Sequence, residues 1–231
     1  MKSFHVLSGG AAQALVESLR PTFERATGHR IEGSFGAVGT IRDKLLAGAP
    51  ADLVILTSTL IANLERDGHV VFNSAKNIGK VETAIAVRRR DAAPAIGSAD
   101  ALRAALLDAD EIHLPDPTSA TAGIHFAKVL RELGIADRVA SRLRAAPNGR
   151  TAMRALAASK SDRPIGCTQV TEILATPGLD LVAPLPPSCA LRTTYTVAIG
   201  IRAQAANEAA RFIAMLTSEP GREARSELGF V

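Results

Sequence analysis

Residues 34–57, SFGAVGTIRDKLLAGAPADLVILT, constrain the fold of this chain more than any other stretch. They read as a strand end, a glycine-bracketed turn, a helix, a tight connection and a second strand. Gly36 and Gly39 flank the turn, and Thr40 is placed to cap the helix that begins there. Ile41, Leu45 and Leu46 follow at apolar helical spacing, and Gly48 with Pro50 stops the helix. Asp52 then precedes Leu53, Val54, Ile55 and Leu56, an apolar run suited to a parallel strand buried on both faces. A Gly/Thr turn at a helix N-terminus leaves backbone N–H groups unpaired, which makes it a ready anion site.

The start of the chain repeats the arrangement. Phe4, His5, Val6 and Leu7 make a short strand, Ser8, Gly9 and Gly10 a turn, and residues 11–23 a helix with Leu15, Val16 and Leu19 on one stripe. One such turn alone requires only that glycine permit a tight connection. Two in series, opening toward the same sheet edge, favour N–H groups converging on one ligand.

Composition excludes other partners. The basic residues are scattered at a net charge of +4, there is no Trp and only one Tyr, so a basic stripe with stacking aromatics for nucleic acid is lacking. Arg88, Arg89 and Arg90 form the only tight basic run and read as a solvated strand end. A mild positive balance favours small anions. No apolar run approaches the roughly 20 residues that span a bilayer, so no membrane insertion is expected. Met1, Lys2 and Ser3 lead directly into the first strand. The expectation is a soluble protein, periplasmic if a leader has been removed and otherwise cytoplasmic. Cys167 and Cys189 lack metal-ligand spacing and are expected to be free, Cys167 within a strand.

Strands and helices keep alternating. Helix 59–67, strand 81–87, helix 98–107 and strand 111–114 lead to the turn-rich loop 116–123, which opens helix 123–133. Residues 137–143 read as helical, and Asn148 with Gly149 opens another helix. A short strand at 165–167, helix 169–175, a strand from 181, strand 194–199 and helices 204–217 and 219–227 complete the chain. This is an α/β fold with mainly parallel sheets. Low-complexity linkers are absent, so two lobes would have to be joined by strands, for which VETAIAV and TTYTVAI have the character.

The chain resembles the type II periplasmic binding proteins, and among them the molybdate-binding receptors of ABC transporters. The resemblance rests on SGGAAQAL, PTFERATGHRIEGSFGAVGTI, AGAPADLVIL, DPTSATAGIHFAKVLRELGI, the loop at 149–150, PIGCTQVTEI and EPGREARSELGF, and covers nearly the whole chain. It implies two α/β lobes, residues 1–80 with 195–231 and residues 81–194. Crossover strands near 81–87 and 193–199 would join them, with a ligand cleft between.

It also implies a site at the strand-to-helix turns. Ligand contacts are expected from Ser8, Gly9 and Gly10; from Ala37, Val38, Gly39 and Thr40; from Thr118, Ser119, Ala122 and Gly123; from Asn148, Gly149 and Arg150; and from Gln169. Backbone donors fall at Ala122 and Gly149. Molybdate receptors place a serine in each of the first two turns and a tyrosine near the last site strand, where this chain has Gly10, Val38 and Gln169. The first turn and the CTQVTEI…PGLDLVAPLP segment resemble instead a branch of organic-acid binders that includes an aconitate isomerase. Arg150 can fork onto a carboxylate, and Gln169 can donate and accept.

Simpler roles compete at several positions. Arg150 can cover a helix and pair at the surface, Gln169 can cross-link strands, and Thr118 and Ser119 can cap helix 123–133. His5 reads as core and His125 as a helix-face residue. His113 with Asp116 forms an acid–base pair without a third group. No GxSxG elbow, P-loop, GxGxxG turn or metal-ligand set is present, so neither cofactor nor metal is expected. Two classes stand: a receptor for a small anion (an organic carboxylate or a molybdate-type oxyanion) serving an ABC permease, and an isomerase of a small di- or tricarboxylate. No residue declares itself as the base the second class requires.

Overall fold

The computed structural model describes residues 2–219 and 221–231. In chain order they form β1 (Lys2–Gly9), α1 (Gln13–Thr27, entered through a 3-10 turn at Gly10–Ala12), β2 (His29–Gly36), α2 (Val38–Leu46), β3 (Leu53–Thr57), α3 (Ser58–Arg66) and β4 (Lys76–Arg88). Next come α4 (Ala99–Asp108), β5 (Glu111–Pro115), α5 (Thr121–Glu132), α6 (Ala136–Val139), β6 (Leu143–Ala146), α7 (Gly149–Ala158), β7 (Pro164–Gln169) and α8 (Val170–Leu174). Last are β8 (Leu179–Pro184), β9 (Arg192–Ile199), α9 (Ala206–Thr217) and α10 (Arg222–Glu227).

The chain divides into two compact units, Met1–Val81 with Thr193–Val231, and Glu82–Arg192. The long strands β4 and β9 contain the two boundaries. In the first unit the strand order is β2-β1-β3-β9. β1 pairs in parallel with β2 and β3, and β9 runs antiparallel to β3. Phe4, Phe23 and Phe212, from β1, α1 and α9, form its aromatic core. Their ring centroids lie 4.7–6.1 Å apart in tilted and edge-on pairs. Gly28, at φ 70°, ends α1 in the left-handed region that a side chain resists.

In the second unit β5 pairs in parallel with β6 and β7, and β4 runs antiparallel to β7 and β8. Leu102 and Leu106 of α4, Ile112 and Leu114 of β5, and Phe126 and Val129 of α5 pack into one core with Ile165 and Cys167 of β7. Cys167 and Cys189 are both free and buried, and burial pushes the Cys167 thiol well up.

Several local expectations change. α2 begins at Val38 with Ala37 as its N-cap, so exposed Thr40 lies inside the first turn and caps nothing. Leu46 is 48% exposed. The expected helix 137–143 breaks into α6 and a short 3-10 turn, and β6 follows, formed because 143–146 pairs with β5 rather than by any periodicity of its own. The expected last helix starts only at Arg222, and Pro220 lies outside the described residues. His5 is half-buried, 3.9 Å from Glu32, rather than in the core. Arg88 is not solvated. It is buried, gripping Asp91 at 2.6 and 3.1 Å and the carbonyls of Ser159 and Asp162 at 2.7 and 3.3 Å. Only Arg89 and Arg90 are exposed.

Candidate functional site

Parallel pairing places the expected turns side by side within each unit. Gly9 and Gly36 are register partners at the ends of β1 and β2, so the turns at 10–12 and 37–40 leave the same edge of the first sheet. A Cβ on Gly9 would stand 2.9 Å from Val38 Cγ1 and 3.2 Å from Tyr195 Cε1, so the first turn packs directly on the second and on the Tyr195 ring. Tyr195 is a residue that the sequence did not mark. It is brought there by its register with Thr57 across β3 and β9. In the second unit Pro115 and Ala146 are partners at the ends of β5 and β6, which sets the turns at 116–123 and 147–150 at one edge. Gln169 ends β7 and is 2% exposed, opposite Thr83 of β4.

Helix starts at these turns are of two kinds. Thr57, Ser98 and Asn148 cap α3, α4 and α7 with side-chain oxygens. The 3-10 entry to α1, α2 and α5 begin instead at Gly9, Ala37 and Ala120, and none of these makes a side-chain cap. The first N–H groups of a helix lack intrahelical partners. At Gly10 to Ala12, Val38 to Thr40 and Thr121 to Gly123 the first N–H groups and the positive ends of the dipoles are thus left without a side-chain cap. Gly123 is required at the last of them, because a Cβ there would overlap the carbonyls of Pro115 and Asp116.

Three of the hydroxyls expected at the site, those of Ser8, Thr118 and Ser119, are engaged elsewhere, whereas Thr40 is exposed. The buried Ser8 hydroxyl donates to the Gly9 carbonyl at 2.9 Å. Thr118 and Ser119 do not cap α5. Their hydroxyls donate to Asp116 Oδ1 at 2.6 and 3.0 Å, joined by their own N–H groups at 2.8 Å. These bonds, that of the Thr118 hydroxyl first, hold the Asp116 carboxyl down at about 2. A hydroxyl whose proton is so committed offers an anion only lone pairs.

The His113–Asp116 pairing does not form. His113 is buried on β5 and its Nε2–H meets Glu111 at 3.2 Å, while Glu111 also accepts Ser159 at 2.7 Å and Arg144 at 3.3 Å. Burial pushes the His113 pKa down; the Ser159 bond, then His113, pulls Glu111 down. His125 lies on α5 and donates Nε2–H to the Cys189 carbonyl at 2.8 Å.

The fourth turn carries a group that the sequence reading passed over. Glu172, buried on α8, accepts the Thr168 hydroxyl at 2.6 Å and the backbone N–H groups of Gln169 and Arg150. Burial pushes its pKa up. Arg150 is half-buried at the second position of α7, with its cation near this carboxylate. The i, i+4 spacing of Thr168 and Glu172 was the one sequence clue.

Among the described residues no group of His, Cys, Asp and Glu is arranged to hold a metal ion, and no helix is long and apolar enough to cross a membrane. Bare helix starts at the carboxyl ends of parallel strands, on a type II periplasmic-binding-protein fold, define a receptor for small solutes. The chain belongs to the bacterial extracellular solute-binding protein family, whose model matches residues 4–231. It is 26% identical over 233 residues to an aconitate isomerase from a Pseudomonas species, covering 97% of this chain and 86% of that one. It is 21% identical over 196 residues to the molybdate-binding protein ModA of Escherichia coli K12, covering 84% and 76%. Among solved structures, the periplasmic molybdate-binding protein of Azotobacter vinelandii superposes with a TM-score of 0.81 at 17% identity, covering 99% of this chain and 98% of that one.

Proposed function

We propose that this protein binds a small organic carboxylate, as the extracytoplasmic receptor of an ABC-type importer. The carrying observation is that three helix N-termini have no side-chain cap while the Ser8, Thr118 and Ser119 hydroxyls beside them already donate within the protein. Gly10 and Val38 stand where a tetrahedral oxyanion would want hydroxyls, and Val38 is buried against Gly9. Each hydrogen bond to a charged group is worth about 1.5–3 kcal/mol. Two missing donors weaken a molybdate-type ligand on the order of 100-fold or more. Arg150 is the side chain assigned to fork onto a ligand carboxylate.

Titration calorimetry with citrate, both aconitate isomers, molybdate and sulfate tests this reading. Arg150→Ala should weaken organic-acid binding about tenfold or more, and Arg144→Ala, whose partner is Glu111, should not. Micromolar molybdate binding with no response to any organic acid overturns it. The aconitate isomerase relative, matched along 97% of this chain, favours a tricarboxylate and supports a second reading as an isomerase on the same scaffold. An absorbance assay for aconitate interconversion, run on the same samples, decides between receptor and enzyme.

A further inference from the structure

Glu172 lies where a helix N-terminus would otherwise receive an external anion. It is 7% exposed, its Oε2 accepts the Thr168 hydroxyl at 2.6 Å, and the N–H groups of Arg150 and Gln169 are directed to it. A Cβ on Gly149 would overlap Glu172 Oε2 and Thr168 Oγ1, so the carboxylate rests directly on the backbone of the first residue of α7. The next open donor of that helix, the Thr151 N–H, is held by Asn148 Oδ1 at 2.9 Å. Two of the first donors of α7 are thus taken, whereas α2 and α5 have no side-chain cap.

We infer that Glu172 is a specificity-determining residue, an internal anion that occupies the start of α7 in the place of an oxyanion. The fourth turn then withholds the Arg150 N–H from the ligand and sets the acceptor oxygens of a carboxylate beside it. A compact dianion such as molybdate or sulfate must be surrounded by donors on all sides, and here it meets acceptor oxygens instead. An extended organic acid can turn a carboxylate to the uncapped start of α5, in the same unit, and keep its carbon skeleton or a neutral group near Glu172. The consequence for ligand choice rests on the anion-binding reading above. The occupancy of α7 does not, and can be measured separately.

The test uses Glu172→Ala and Glu172→Gln in the full chain. Melting temperatures are recorded with sodium formate, sodium acetate or sodium chloride at matched ionic strength. Formate and acetate should raise the melting temperature of Glu172→Ala over chloride by several degrees more than they raise that of wild type or Glu172→Gln, by refilling the anion position. Molybdate affinity, by calorimetry, should rise about tenfold or more in both variants. Absence of formate rescue in Glu172→Ala overturns the internal anion, because it means that side-chain volume rather than charge holds the turn. Unchanged molybdate affinity in the variants overturns the specificity role, and Glu172→Gln keeps that arm open should Glu172→Ala not fold. If wild type binds molybdate tightly and ignores organic acids, the proposed ligand class falls while formate rescue still reports on α7.

Discussion

Replacing Asp52 by alanine should destabilise the first unit by about 3–5 kcal/mol. Asp52 stands one residue before β3 and is 4% exposed. Its Oδ2 accepts the His5 N–H at 2.8 Å, and its Oδ1 accepts the Gln204 and Ala205 N–H groups at 2.7 and 2.9 Å. One carboxylate therefore joins β1, β3 and the start of α9, a helix whose N-cap Ala205 has no capping side chain. Each charge-assisted bond contributes about 1.5–3 kcal/mol, so the three together set an upper bound near 9. The bound is not reached, because exposed Gln204 and half-buried His5 can recover water, while buried Ala205 cannot. Asp52→Asn should cost about half as much, since its oxygen still serves the helix while its amide N–H₂ faces the His5 donor. Urea denaturation followed by circular dichroism reads both, with unchanged m-values. A cost below about 1 kcal/mol for Asp52→Ala would refute the argument, showing that water replaces the carboxylate at all three donors.

Arg88→Ala should cost about 3–5 kcal/mol, because it strands Asp91 and two carbonyls that the buried guanidinium holds. Arg89→Ala, at an exposed pair with Asp180, should change stability by no more than about 0.5 kcal/mol; equal effects in the same denaturation assay would contradict the burial argument. His113 should give the protein an acid limb. Its folded pKa lies below the ordinary value near 6.5, chiefly through burial. The unfolded chain then binds the extra proton, so stability is full above about pH 6.5 and is lost as pH falls through the lower folded value. Urea midpoints measured from about pH 8 to 5 should decline on the acid side, and His113→Gln should flatten that decline.

The alternation of strand and helix was legible along nearly the whole chain, because apolar runs such as 53–56 and glycine-marked turns such as 36–39 act over a few residues. The caps were not legible in the same way: Thr40, Thr118 and Ser119 read as capping residues, and the structure sets the N-caps at Ala37 and Ala120, which have no side-chain oxygen. β6 escaped that logic. Leu143 to Ala146 has no alternation, and only β5 beside it makes a strand of it.

Side-chain partners were a different matter. Ser8, Thr118 and Ser119 supply hydroxyls at the expected turns, but whether a hydroxyl proton reaches a ligand or a neighbour depends on which acceptor the folded backbone brings within about 3 Å. Here the neighbours win, at the Gly9 carbonyl and at Asp116. Arg88 reads as a surface charge until the chain returns with Ser159 and Asp162 to enclose it. Glu172 reads as one polar residue of a short helix until pairing among β4, β5, β6 and β7 sets Gly149 against it. By itself the sequence determined the class of fold and the places where helix N-termini would open, since both depend on backbone periodicity. Only the tertiary structure decided which donors stay open, because hydrogen bonds are short and directional and their partners come from segments far apart in the chain.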